Sequence, residues 1–301
     1  SASDLIDQIK ARKPFELWGG RATSVGSFNK EVKYTILTPS KTATIYTHQE
    51  DLNANNLVKL LDVNFDPHSD RVNDLRYGKL DVSKLATVLS GNRNVYYTVE
   101  ENQTTRPFSV CFLGDESGSM GGLPHHDDID TTSPAGAQHS LMKMLYKTFS
   151  QILPQSKIFI YGHSGLYEPV VRVYHDPYNQ SFDYTIESQR FARFEENYDG
   201  PVIESIYKRI RGVTSDNILF ISLSDGMPSG RGYGGWEAAE EMKRIIEKCK
   251  RDGFVTVGIG LFSEHVKNIY NYNCVIRDLK DVPKRVSTII NTVVKTEFKD
   301  E

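Results

Sequence analysis

Asp115, Ser117 and Ser119 occupy alternate positions in FLGDESGSMGG, residues 112–122. A carboxylate and two hydroxyls are hard oxygen donors of the kind Mg2+ or another small divalent cation takes. Gly118 between the serines lets the backbone curl around such an ion. The same residue types could instead serve a nucleophile or a phosphate. Two more acids lie where elements meet: Asp199 in ENYDG, ahead of a helical stretch, and Asp225 in LSDG, after the most strand-like segment of the chain. Plainer roles are open to each of them. A polar turn would account for 115–119, capping of the helix that begins near Gly200-Pro201 for Asp199, and an Asp-Gly turn for Asp225.

Other stretches point less firmly to chemistry. His125, His126 and Asp127 in HHDD are adjacent on one loop, a spacing that rarely surrounds a single zinc ion, and no cysteine cluster supports them. They read as a solvated loop. His163 and Ser164 in YGHSG miss the Gly-x-Ser-x-Gly pattern because Leu166 takes its last position, so they read as a strand end. Gly230, Gly232 and Gly235 spell G-x-G-x-x-G before a helix, but in the fourth strand-helix turn and without a P-loop lysine. That segment reads as a rim loop, with Arg231, Tyr233 and Trp236 as candidate contacts for a partner.

The elements that must position these residues follow from periodicity. From residue 108 onward short apolar runs alternate with amphipathic helical stretches, which predicts a mostly parallel sheet with helices on both faces. FSVCFLGD (108–115) is the first strand, and AGAQHSLMKMLYKTFSQIL (135–153) a helix with Leu141, Met144, Leu145 and Phe149 on one side. Strands follow at 157–164, 170–176, 216–226, 254–262 and 274–279, with helices at 202–212, 236–253 and 281–298. Asp115 and Asp225 then sit at the carboxyl ends of strands, where open α/β sheets bind ligands.

The first hundred residues differ in texture. A short helix near 3–12, an extended pair EVKYTIL and TATIYT joined by TPSK, and helical NLVKLLDV and DVSKLATVLSG suggest an accessory domain or an extension over residues 1–104, joined near ENQTTRP to a domain at 105–301.

Composition bounds the function. With 39% hydrophobic residues in 301, the chain can fill a substantial core. Lys and Arg number 36 against 39 Asp and Glu, a formal net charge of -3, which offers no general attraction to nucleic acid or anionic membrane. The cysteines, Cys111, Cys249 and Cys274, are scattered and set in apolar or helical surroundings, as buried thiols in a reducing compartment would be. No apolar run approaches the roughly 20 residues of a membrane span, and SASDLIDQIKARK lacks the apolar core of a secretion signal. The expected location is cytoplasmic.

Order and spacing together resemble the von Willebrand factor A fold with its metal-ion-dependent adhesion site, over about residues 106–298. In that family Asp-x-Ser-x-Ser follows the first strand, a Thr or Asp comes from a middle loop, and an Asp follows the fourth strand. DESGSM, ENYDG before a helix, LSDGMPS and the strand VTVGIG are similar in particular to the domain of CobT-type cobaltochelatase subunits and their bacterial and phage relatives. The resemblance implies a Rossmann-like, doubly wound α/β sheet. It implies a shell of Asp115, Ser117, Ser119, Asp199 and Asp225 around Mg2+, Mn2+ or Ca2+, and a metal-dependent protein-interaction module. The implied partner is an AAA+ ATPase of the MoxR/CobS type, to which ATP hydrolysis would belong. Met120 and the loops 120–134 and 226–236 would choose that partner. Two features depart from the integrin-type pattern. Asp199 replaces a neutral Thr and leaves a bound cation less positive toward outside ligands, and GGLPHHDDIDTTSP is longer and more acidic than a tight turn requires. Two alternatives stand beside this expectation. One is a structural or adhesive protein of a larger assembly, a viral one included. The other is a Mg2+-dependent phosphohydrolase, which would need a second Asp where Ser117 stands.

Overall fold

A computed structural model describes residues 31–37, 45–63, 69–88, 90–101, 105–121, 133–178 and 195–299. In chain order they form β1 (Lys33–Ile36), α1 (His48–Leu60), β2 (Ser69–Leu75), β3 (Lys79–Leu80), β4 (Tyr96–Glu101), β5 (Phe108–Asp115), α2 (Pro134–Ile152), β6 (Ile158–Ser164) and β7 (Val170–His175). After these come α3 (Asp199–Arg211), β8 (Asn217–Ser224), β9 (Ser229–Gly230), β10 (Tyr233–Gly234), α4 (Gly235–Lys250), β11 (Phe254–Leu261), β12 (Tyr272–Ile276) and α5 (Val282–Glu297).

All eight residues of β5 are buried, which only a strand covered on both faces achieves. Its alternation sends Val110 and Phe112 into one core and Cys111 and Leu113 into the other. The first core lies under α1, α2 and α5, the second under α3 and α4. The sheet has seven strands in the order β1-β7-β6-β5-β8-β11-β12, parallel throughout except that β7 runs antiparallel to β6. This is the doubly wound, mostly parallel α/β sheet expected from periodicity. From β5 the chain passes through α2 to β6 on one side, and later returns to β8 on the other. Order reverses there, which opens a crevice at the carboxyl ends of β5, β6 and β8.

Local chemistry starts the helices where the crevice needs them. Ser133 caps α2 by accepting from the Gly136 N–H at 3.1 Å, with Pro134 in the first turn. Asn197 Oδ1 accepts from the Asp199 N–H at 3.0 Å as α3 begins. Thr47 and Glu50 form a reciprocal capping box at α1.

The N-terminal residues are arranged differently from the expected extended pair. β1 pairs in parallel with β7, at the sheet edge, and residues 45–47 lead directly into α1. β2, β4 and β3 form a small antiparallel sheet that periodicity did not reveal. The helix expected near 3–12 and the TPSK turn lie outside the described residues. Cys111 and Cys249 are buried and Cys274 half-buried, all as free thiols. Among the described residues no helix is long and apolar enough to cross a membrane.

Candidate metal centre

The turn after β5 is held from within. Asp115 Oδ1 accepts from the Ser117 N–H at 2.8 Å, which folds the chain back so that the carboxylate and both hydroxyls share one side. Ser119 Oγ donates to Asp225 Oδ1 at 2.9 Å and lies 3.1 Å from Ser117 Oγ. A hydroxyl has one proton, so Ser119 accepts from Ser117 when it donates to Asp225. Asp115, Ser117, Ser119 and Asp225 are thus linked across the ends of β5 and β8, the first through the Ser117 N–H and the rest through their oxygens. Gln138 of α2 donates from Nε2 to the Asp115 carbonyl at 2.8 Å and ties the helix to the turn.

The second oxygen of Asp115 faces inward. Asn197 Nδ2 donates to Oδ2 at 2.6 Å and Ser224 Oγ at 3.0 Å. Asp199, the first residue of α3, turns its carboxylate to His163 at the end of β6, with Oδ1 2.8 Å from Nε2 and both side chains almost wholly buried. Its helix start is packed by Tyr233, whose hydroxyl accepts from the Gly200 N–H at 3.1 Å. A side chain at position 200 would collide with that hydroxyl, which is why glycine follows the acid.

Burial sets the electrostatics of the site. Burial raises the Asp115 carboxyl above its ordinary value, and nearby Asp199 adds to the rise while His163 opposes it. Burial, then the Asp115 carboxylate, push Asp225 up to about 7. Burial alone would lower His163, but Asp199, Asp115 and Glu116 hold it above the ordinary imidazole value. Buried acids that resist ionisation together are what a cation would relieve. Among the described residues no group of three His, Cys, Asp or Glu side chains is disposed to hold an ion. The donors at hand are instead two carboxylates, Asp115 and Asp225, with the hydroxyls of Ser117 and Ser119, an all-oxygen set that fits a hard divalent cation. Asp199 stands behind them, engaged by His163.

The expected partner contacts divide. Arg231 and Trp236 are exposed on the rim, where Arg231 lies over the Tyr167 ring at 5.2 Å and Lys243 over the Trp236 ring at 5.0 Å. Met120 and Tyr233 are fully buried, so neither offers a surface to a partner. Met120 packs in the core under α2, and Tyr233 stacks against Tyr198. His125, His126 and Asp127 lie outside the described residues. The glycine segment 230–235 builds the β9–β10 ribbon, and a side chain at Gly230 would meet the Tyr198 ring.

Sequence reasoning missed His163 as the partner of Asp199, and it missed Asn197, Ser224 and Gln138 around Asp115. Asn197 was within reach, two residues before Asp199 in a segment already singled out. His163 was readable only as a strand end, because its role depends on β6 lying beside β5, where it pairs in register with Asp115.

No protein-family model matches the chain, and no curated protein matches it. Solved structures similar to the chain include the following three. Proximal thread matrix protein 1 from the mussel byssus aligns with a TM-score of 0.39 at 16% identity, over 64% of this chain and 48% of that one. The pilus adhesin SpaC of Lactobacillus rhamnosus GG, in its open conformation, gives 0.46 at 13% identity, over 68% and 32%. The SpRpn10 VWA domain gives 0.37 at 14% identity, over 62% and 94%. The chain therefore spans less than half the length of the first two.

Proposed function

We propose that this chain is a von Willebrand A-like, metal-dependent protein-interaction module whose rim binds a protein partner through a divalent cation. Asp115, Ser117, Ser119 and Asp225 would hold Mg2+, or Mn2+ or Ca2+ in its place, with Asp199 contributing its charge from behind the His163 contact. A bound cation supplies positive charge and an open coordination position for an acidic side chain or a water. The observation that carries the reading is the hydrogen-bonded run of Ser117, Ser119 and Asp225 oxygens at the sheet crevice, beside an Asp115 carboxylate that accepts from the Ser117 N–H, with both acids pushed toward the neutral form. The chain's own residues do the rest. Asn197, Ser224 and Gln138 fix the Asp115 carboxylate and its backbone, and Arg231 and Trp236 give the rim a cationic and an aromatic contact.

The partner proposed from the motif resemblance is an AAA+ ATPase of the MoxR/CobS type, for which this chain would act as adaptor. A thermal-shift titration with Mg2+, Mn2+ and Ca2+ addresses the metal first. The wild-type protein gains stability with added cation, since selective binding to the folded state stabilises it by mass action. Asp115→Ala and the milder Ser119→Ala, at an exposed position, lose that gain. Equal gains in wild type and both variants would remove the metal reading. Co-purification with the ATPase in Mg2+ and in EDTA addresses the partner, and association that survives EDTA and Asp115→Ala would remove metal dependence from the interaction.

A further inference from the structure

Glu116 lies between two proposed ligands yet points the other way, into a buried cluster that the metal reading leaves unused. Its carboxylate accepts from Arg172 Nη1 at 2.8 Å on one oxygen and from the Tyr174 hydroxyl on the other, and the residue is 2% exposed. Arg172 and Tyr174 are both on β7. The same guanidinium donates to Ser164 Oγ at 2.7 Å, from the end of β6, and through Nη2 to Glu195 Oε2 at 2.9 Å. Glu195 begins the segment that delivers Asn197 and Asp199, and its carbonyl accepts from the Gly118 N–H, within the Asp-x-Ser-x-Ser turn, at 2.8 Å. Opposite Arg172 in the ladder is Gly162, where an added Cβ would fall 2.2 Å from a Glu116 oxygen. The missing side chain makes the space that Glu116 occupies.

We infer that Arg172 is a positioning residue for the metal centre: it clamps the 115–119 turn, through Glu116, to the 195–199 segment, through Glu195, and so fixes the spacing between their two sets of donors. This inference rests on the metal reading of the site. Arginine suits the task because its planar fork of donors meets three acceptors on three segments at once, which a lysine ammonium cannot match in direction. The geometry explains why the position between Asp115 and Ser117 carries a carboxylate, although that side chain faces away from the ion. The 195–197 segment is tied besides, by bridges from Glu196 to Gly165 and from Asn197 to Ser229. Those bridges hold the segment's path, and Arg172 sets its distance from the turn together with the Gly118–Glu195 and Asn197–Asp115 hydrogen bonds.

Removing residues that orient metal ligands typically costs about 10- to 100-fold in affinity. Calorimetric Mg2+ and Mn2+ titrations of Arg172→Met, Arg172→Lys and Glu195→Ala are therefore the first arm. A loss of about tenfold or more in Arg172→Met, a partial loss in Arg172→Lys and a loss in Glu195→Ala support the clamp, provided far-UV and near-UV circular dichroism stay native. Glu195 is partly exposed, at 24% of its side chain, so its variant keeps the question answerable if Arg172→Met fails to fold. Affinity within twofold of wild type in folded Glu195→Ala and Arg172→Lys overturns the inference. Amide hydrogen exchange of the metal-free protein is the second arm and does not depend on the ion. The clamp predicts that Glu195→Ala speeds exchange at Gly118 and across 195–199 together, while β5 and β8 amides remain protected. Unchanged exchange at Gly118 overturns it. A wild-type protein that binds no metal, with the coupled exchange change still produced by Glu195→Ala, would refute the metal reading while sustaining the mechanical link.

Discussion

Asp225 is where the proposed chemistry meets stability most directly. Its ordinary value is 3.8, and in the fold burial, then the Asp115 carboxylate, push it up to about 7. A carboxyl with a raised folded value binds a proton that the unfolded chain has already released across the window between those two values. Stability therefore falls as pH rises through that window and levels off above it. A divalent cation favours the ionised form and offsets this loss, so its benefit grows with pH. The expected result is that EDTA-treated protein melts higher at pH 5.5 than at pH 8 as far as this group contributes, and that the Mg2+-induced rise in Tm is larger at pH 8. Asp225→Asn removes this group's share of the pH dependence, raising the metal-free Tm at pH 8, and abolishes the Mg2+ increment, while Asp115 and His163, also raised, keep theirs. A Mg2+ increment that stays constant from pH 5.5 to 8 in wild type would show that Asp225 is not part of the cation's charge balance. Residue identities made much of this visible beforehand, because Asp115, Ser117 and Ser119 lie within five positions of one turn and a turn is local. Asn197, Ser224 and His163 were not visible, because hydrogen bonds to Asp115 and the ion pair with Asp199 are created by strand order, which no short window of sequence encodes.

The elements show the same division between local and distant causes. β5, α2, β8 and α4 follow from apolar periodicity and lie where it predicts, since a continuous apolar run and a 3.6-residue stripe each bury themselves in one way. α1 is different: its attachment depends on pairs that are far apart in sequence. Lys143 of α2 donates to Glu50 Oε2 at 2.6 Å and to the Ile45 carbonyl at 2.9 Å, with the ion pair nearly sealed from water. A sealed charge that loses its partner costs about 3–5 kcal/mol, whereas replacing both charges by apolar groups of similar size is often neutral or stabilising. Lys143→Met alone should therefore lower the unfolding free energy by about that amount, and Lys143→Met with Glu50→Leu should recover part of it, short of the capping-box bond that Glu50 also makes to the Thr47 N–H. Urea titrations of the two single variants and the double variant give the coupling directly. If the double variant is as unstable as the sum of the singles, the pair does not act as a unit and another contact holds α1 in place.

At the scale of the whole molecule, the composition break near residue 104 and the packing of α1 lead to different unfolding behaviour. An accessory domain of residues 1–104 would melt apart from 105–301. An extension packed on it would not, and in the structure Ala54 and Leu57 of α1, both fully buried, share a core with Phe112 of β5 and Ile290 of α5. Polar ties add to this contact: Asn53 Nδ2 donates to the Leu279 carbonyl at 2.9 Å, and Asn291 Nδ2 to the Leu60 carbonyl at 2.8 Å. β1 adds a parallel edge to β7, the strand that carries Arg172. Deleting a single core leucine costs about 2–5 kcal/mol against a total of about 5–15 kcal/mol for an ordinary domain. Loss of α1 entire should therefore consume much of the stability of 105–301. Calorimetry of the full chain is expected to show the sheet and α1 unfolding in one transition, and the fragment 105–301 to have a lower urea midpoint and to bind a dye for exposed apolar surface. Among the described residues, those of the small β2–β4–β3 sheet belong to neither core, so deleting 69–101 while keeping β1 and α1 serves as a separate control. A fragment 105–301 with the midpoint and slope of the full chain would restore the two-domain division, and would leave the metal centre, whose ligands all lie beyond residue 114, standing on a self-sufficient domain.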